Sequence, residues 1–262
     1  MSNQIKKFVI LGERCSGTNF LEEVIKTNFD LEYTLEYGNK HFFCFNNYDK
    51  NKTDDILFIG IIRNPIYWLN SFSKELYHIP EINRKSLKNF LFNEFYSVED
   101  EVPMNNTNSL VENGVFLLNN KPYTHKYNIN NNDLNYLTGK KYKNIFEMRK
   151  LKNDYLMNIM PTKVKNYVLI NYEDLLYNFE KTLLHIKTNF CLVQTKEKFE
   201  NVKKYKKSET YDFVKQRQVT FPENIIKMIW MNLDKKQEAS LGYFMGNQND
   251  FFKKRSLNNF II

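Results

Sequence analysis

Two short segments and a few histidines carry the residues best suited to chemistry. The first segment is Gly12-Glu13-Arg14-Cys15-Ser16-Gly17-Thr18-Asn19, set between a run of strand formers and a helical pattern. A strand-to-helix turn leaves backbone N–H groups without intrahelical acceptors. With the positive end of the helix dipole, these groups bind phosphate or sulfate. Gly17 permits close backbone approach to an anion. Ser16, Thr18 and Asn19 add side-chain donors, and Arg14 adds fixed charge. An ATP-binding loop of the common kind requires GxxxxGK[ST]. Gly12 and Gly17 have that separation, but Thr18 and Asn19 follow, so the lysine is missing. The loop suits a phosphate-like anion rather than ATP held in the usual manner; an ordinary turn with a Ser/Thr cap is the competing reading. The second segment is Ile61-Ile62-Arg63-Asn64-Pro65 through Ser71-Phe72. Arg63 ends an apolar run, and Ser71 falls about two turns into the next helix, so a guanidinium and a hydroxyl converge on one edge. That pair suits a second phosphate, whereas a capping Arg and a surface Ser are each common alone.

A general base is sought among His41, His78, His125 and His185. His41, in Asn39-Lys40-His41, stands between the two anion segments and beside a lysine, and is the expected base, with Lys40 or Arg14 neutralising a departing phosphate. His78 and His125 are candidate substrate contacts, and His185 reads as a helix-surface residue. Glu13 is the alternative base. Arg149 and Lys152 either bind an anionic acceptor or form a solvated helix face.

The elements that must position these groups alternate along the chain. Lys7–Leu11 (KFVIL) and Ile56–Ile62 (ILFIGII) read as buried parallel strands. Phe20, Leu21, Val24, Ile25 and Phe29 form one helical face. Leu31, Tyr33, Leu35 and Tyr37 alternate as a strand would, and His41–Phe45 (HFFCF) reads as a further short strand. Pro65 suits the first turn of a helix carrying Trp68, Leu69, Phe72 and Leu76 inward. Later come a helix at about 144–160, a strand at 167–171, and helices near 174–190 and 223–241. Such alternation predicts an α/β fold, a three-layer α/β/α arrangement with a central, mostly parallel sheet. The whole of 1–262 reads as a single domain. An Asn-rich insertion at about 97–143 either shapes a substrate pocket or is a solvated excursion.

Composition sets broader bounds. The 262 residues suffice for one α/β domain, and the net charge of +8 favours anionic ligands without choosing among them. Cys15, Cys44 and Cys191 are too few and too scattered for a disulfide framework or zinc site. No metal is expected. Neither a signal-peptide core nor an apolar run near 18 residues is evident, which predicts a soluble, cytoplasmic protein without membrane insertion.

Together, RCSGTNFL and IIRNPIYWLNSF resemble the two cofactor elements of sulfotransferases that use 3′-phosphoadenosine-5′-phosphosulfate (PAPS). The first is similar to the family's 5′-phosphosulfate loop. The second is similar to its RxPxxxxxS signature, with Arg63 and Ser71 at the family's spacing. YVLINYEDLL, from Tyr167 to Leu176, resembles a late strand of that family and the turn that ends it. YKNIFEMRKLKNDYL and EASLGY are similar to stretches of bacterial-type members. The resemblance implies a P-loop-like sulfotransferase fold and a PAPS cofactor whose product is adenosine 3′,5′-bisphosphate. It assigns Ser16, Gly17, Thr18 and Asn19, with Arg14 and Cys15 beside them, to the 5′ end. Arg63 and Ser71 hold the 3′-phosphate. Tyr172 lies near the adenine edge, and Phe20 either stacks on adenine or belongs to the core. His41 occupies a place similar to that of the family's catalytic histidine. The acceptor implied is a hydroxyl or amine of a carbohydrate or small molecule, and no nucleic acid is expected as partner. Two features depart from the family. Cys15 stands where a cation usually precedes the Ser, and the Gly-rich 3′-phosphate segment near the C-terminus has no clear match beyond the basic Lys253-Lys254-Arg255. A P-loop phosphotransferase, with Asp174 imitating a Walker B aspartate, and a basic nucleic-acid-binding protein using Lys196–Lys207 are the alternative readings.

Overall fold

Strand β1 (Lys7–Leu11) divides its side chains between two cores. Phe8 and Ile10 enter one, and Val9 and Leu11 the other. A strand buried on both faces reads as a continuous apolar run, which is why KFVIL was legible. The structure is a computed structural model. It describes residues 4–75, 77–99, 129–202 and 218–246, and the backbone alone of 111–112, 115–118 and 121–122. After β1 come α1 (Thr18–Asn28), the two-residue β2 (Glu32–Tyr33), β3 (Ile56–Ile62) and α2 (Pro65–Phe72). Two short helices follow, α3 (Glu81–Arg84) and α4 (Leu87–Phe92). Strands β4 (Val111–Glu112), β5 (Val115–Leu118) and β6 (Lys121–Pro122) form a small antiparallel sheet. The chain then forms α5 (Ile145–Asp154), a π-helical turn (Tyr155–Ile159), α6 (Met160–Lys163), β7 (Asn166–Asn171), α7 (Tyr172–Tyr177), α8 (Phe179–Phe190), α9 (Glu223–Asn232) and α10 (Lys235–Ser240).

The main sheet has the order β2-β1-β3-β7, and every pairing is parallel. Helices α1, α7 and α8 cover one face through Phe20, Leu21, Val24, Leu175, Leu183 and Ile186. Helices α2, α5 and α9 cover the other through Trp68, Leu69, Phe72, Met148, Ile229 and Trp230. This is the expected three-layer α/β/α architecture. From β1 the chain passes to β2 on one side, then crosses back to β3 on the other. The β1/β3 boundary is therefore the switch point at which such sheets open a crevice beyond their strand ends.

Three expectations are corrected. Of the alternating stretch from Leu31 to Tyr37, only Glu32 and Tyr33 pair as a strand. His41–Phe45 does not extend the sheet; Phe43–Phe45 is a 3-10 turn. The chain there turns back to the end of β1, where the Lys40 carbonyl accepts the Gly12 N–H at 2.9 Å. Phe43 and Cys44 bury themselves without strand partners. The helix expected at 144–160 widens into the π turn just before Pro161, which has no N–H to continue an α ladder. Among the described residues, no helix is long and apolar enough to cross a membrane.

Candidate anion-binding site at the strand ends

The loop from Gly12 to Gly17 leaves the C-terminal end of β1. It turns tightly because the Ser16 N–H returns to the Glu13 carbonyl at 3.1 Å. Cys15 and Gly17 both take left-handed backbone, with φ of 64° and 96°. Gly17 caps α1 and no side chain caps that helix, so the N–H groups of its first turn face the loop without a side-chain acceptor. A Cβ at Gly17 would overlap the Tyr172 ring. Position 17 thus requires glycine twice over, for its backbone angle and for this close approach.

Arg63 follows β3 and points into the same corner. Its Nη1 donates to the Cys15 carbonyl at 2.9 Å and to Ser71 Oγ at 3.2 Å. Its guanidinium carbon lies 4.7 Å from the centre of the Tyr172 ring. Tyr172 itself opens α7 directly after β7. Cys15, Gly17, Arg63, Ser71 and Tyr172 therefore come together from the ends of β1, β3 and β7. Cys15 contributes its carbonyl; burial, with Glu75 acting in the same direction, pushes its thiol up to about 12, so it stays protonated. The Arg63 main chain is fixed in turn, because Arg149 Nη2 donates to its carbonyl at 3.0 Å. Arg149 grips Glu238 of α10 through both oxygens, at 2.6 and 2.8 Å, and lies over Trp68. Glu238 was not singled out from sequence, and Arg149 is a buried strut rather than an acceptor ligand.

His41 is partly buried, with Nδ1 2.7 Å from the Gly12 carbonyl. A carbonyl only accepts, so Nδ1 carries the proton and Nε2 keeps the lone pair. Burial, which outweighs the pull of Glu13, lowers the imidazole pKa to about 3, so the ring is neutral at ordinary pH. Lys40 donates to Asn19 Oδ1 at 2.5 Å and to Glu22 Oε2 at 3.2 Å. It is a cation beside the first turn of α1, its pKa lowered chiefly by burial.

Arg14 departs from expectation. Its guanidinium turns into the protein, donating to Glu13 Oε1 at 2.9 Å, the Tyr77 carbonyl at 3.1 Å and Ser97 Oγ at 2.8 Å, and it sits 4.7 Å from the Phe72 ring centre. Lys152 completes the cluster by pairing with Glu13 and Asp133 and donating to the His41 carbonyl at 3.0 Å. The reason is electrostatic: Glu13 and Asp133 are themselves buried and need cationic partners. Burial alone would raise Glu13, yet Lys152 and Arg14 outweigh it and hold the carboxyl at about 2, which removes Glu13 as a base. Arg14 and Lys152 are thus frame rather than ligand groups. Ser97, at the start of the Asn-rich insertion, and Asp133, within it, are frame residues that the sequence did not reveal.

Phe20 takes the core alternative. It is 1% exposed, packed in the core and edge-on to Tyr172 at 6.1 Å, so it offers no face to a ligand. His78, at φ 59°, holds the Val98 carbonyl through Nδ1 at 2.8 Å, and its ring meets Phe42 edge-on. His185 pairs with Asn189 on α8, away from these groups in sequence and element. His125 and Lys253-Lys254-Arg255 lie outside the described residues, as do residues 203–207 of the basic stretch Lys196–Lys207. No protein-family model, curated protein or solved structure matches the chain.

Proposed function

We propose that the chain is a sulfotransferase that moves a sulfuryl group from PAPS to a hydroxyl or amine of a carbohydrate or small molecule. The observation that carries this reading is the contact of Arg63 with Ser71, beside the Cys15 carbonyl and under the start of α1. It offers a second anion place next to the helix-start loop, which suits a nucleotide phosphorylated at both its 3′ and 5′ ends. A buried Arg63 Nε without an acceptor among the described residues fits a phosphate oxygen there. Ser16, Gly17, Thr18 and Asn19 would hold the 5′ end, Arg63 and Ser71 the 3′-phosphate, and Tyr172 would cover the edge between them. The separation of Gly12 and Gly17 matches the glycine spacing of a P-loop, without its lysine. The bound nucleotide would supply the sulfuryl group and take up charge on the bridging oxygen as that bond breaks.

The chain's own residues would then do three things. The loop N–H groups fix the anion, so that the reacting atoms stand in line. Lys40, already at Asn19, neutralises charge that develops at that end. His41, held by Gly12 in the tautomer that leaves Nε2 unprotonated, accepts the acceptor's proton. An imidazole of low pKa is a weak base alone, and a bound anion nearby raises it.

Thermal unfolding with adenosine 3′,5′-bisphosphate, Mg-ATP and an oligonucleotide tests the reading, since specific ligands raise apparent stability by mass action. The bisphosphate should give the largest shift. A larger shift with Mg-ATP would point to a phosphotransferase, and one with only the oligonucleotide to a nucleic-acid-binding protein; either overturns the proposal.

A further inference from the structure

Asn64 directly follows Arg63 and caps α2. Its Oδ1 accepts the N–H of Ile66 at 3.0 Å and that of Tyr67 at 3.4 Å. Only the carbonyl half of an amide accepts, so these two bonds settle which way the side chain points. The Nδ2 amine is left on the other side. It is buried, the residue being 1% exposed, and has no acceptor among the described residues. Arg63 Nε, one residue earlier, is in the same condition. A buried donor left unpaired is destabilising, because it forfeits its bonds to water without replacement. Native proteins rarely leave one, and here consecutive residues directly after β3 leave two.

Neither side chain is at liberty to turn away and find a partner. The Asn64 amide is tied by its cap, and its main-chain N–H is held by Glu173 Oε1 at 3.0 Å. The Arg63 guanidinium is tied through Nη1 to Cys15 and Ser71, and stacked on Tyr172. Both orphaned groups are donors, and one belongs to a fixed cation. A ligand that satisfies both must present acceptors and negative charge.

We propose that Asn64 is a ligand-binding residue whose Nδ2 donates, together with Arg63 Nε, to the oxygens of a phosphate monoester. The assignment rests on reading Arg63 as the 3′-phosphate site, and it adds a recognition group that Arg63 and Ser71 do not supply. The amide then has two roles at once: its oxygen starts α2, and its nitrogen reads the ligand. A terminal phosphate, with three non-bridging oxygens, can meet both donors; an internal diester offers fewer.

Asn64→Ser separates the two roles, because serine caps a helix about as well as asparagine but lacks the amide donor. Isothermal titration of the wild type and the variant with adenosine 3′,5′-bisphosphate, 5′-AMP and inorganic phosphate forms the test. In Asn64→Ser the bisphosphate should bind about tenfold weaker or more, the loss expected of one hydrogen bond to a charged acceptor. Its affinity for 5′-AMP should stay close to wild type, and its unliganded melting temperature should not fall, since the cap is kept and an unpaired donor is removed. Bisphosphate affinity within about twofold of wild type, on that same scale, overturns the proposal. If Asn64→Ser fails to fold, the near-isosteric Asn64→Asp keeps the capping oxygen and replaces the donor by an acceptor. Bisphosphate binding undiminished in that variant overturns the proposal equally. The underlying reading fails separately: a wild type that binds 5′-AMP as well as the bisphosphate removes the 3′-phosphate assignment. In that case, weaker inorganic phosphate binding by Asn64→Ser still upholds the donor pair, and unchanged phosphate binding overturns both.

Discussion

Arg63 and Ser71, eight residues apart, meet at 3.2 Å between Nη1 and Oγ. The contact exists because β3 ends at Ile62, Asn64 and Pro65 start α2 at once, and two turns of helix return Ser71 to the strand end. Arg63→Ala removes the fixed charge and all its donors. It should weaken adenosine 3′,5′-bisphosphate binding by about 100-fold or more, as the loss of charge-assisted bonds implies. Ser71→Ala removes one hydroxyl and should cost about tenfold. Arg63→Lys should not rescue, because an ammonium cannot reproduce the guanidinium fork. Calorimetric titration checks all three, and an Arg63→Ala protein that binds as wild type would remove the site.

Gly17 faces the Tyr172 ring with φ of 96°. Gly17→Ala meets both the left-handed backbone cost of about 1–2 kcal/mol and an overlap with a ring that stacks on Arg63. The urea midpoint should fall accordingly, and bisphosphate affinity should fall with it, since Tyr172 and Arg63 move together. An alanine variant as stable as wild type would mean that the loop relaxes easily and is not a preorganised cradle.

The parts legible in sequence were those set by local rules. A buried strand, an immediate proline and an eight-residue spacing placed Arg63 beside Ser71, and the helix period placed Phe20 among core positions. The illegible parts depend on distant partners. Arg149 and Glu238 are 89 positions apart, and Lys152 and Glu13 are 139 apart, so no local pattern announces either pair. Arg14 looked available for an anion because Asp133 and Ser97, which occupy it, lie in a polar stretch without periodicity. HFFCF shows the limit of apolar runs: five residues cannot distinguish a strand from a buried turn.

His41 makes stability depend on pH in a stated direction. Its imidazole is depressed to about 3 in the folded protein, against an ordinary value near 6.5. The unfolded chain therefore takes up a proton first as pH falls. Stability is complete above about 6.5 and is lost progressively down to about 3, at up to about 1.4 kcal/mol per pH unit for one proton. Glu13, held at about 2 in place of an ordinary 4.5, adds loss of the same sign at lower pH. His185, also lowered by burial, contributes weakly in the same direction. His41→Ala should flatten the urea-derived stability profile between pH 6.5 and 4.5. The same variant should keep bisphosphate affinity and lose sulfuryl transfer. Transfer at wild-type rate would place the base elsewhere.

The Arg149–Glu238 pair is 4% and 1% exposed, and its geometry is bidentate. Glu238→Ala strands a buried guanidinium, which costs about 3–5 kcal/mol, far more than a surface pair would. Arg149 then no longer holds the Arg63 carbonyl in place, so bisphosphate affinity should drop as well, although neither residue meets the anion. Replacing both partners, Arg149→Met with Glu238→Leu, removes the stranded charge and should recover most of the stability. It cannot restore the bond to the Arg63 carbonyl, so affinity should stay low. That split between recovered unfolding midpoint and unrecovered binding distinguishes a strut for Arg63 from a pair that merely stabilises the fold. Full recovery of both would assign the pair to the fold alone.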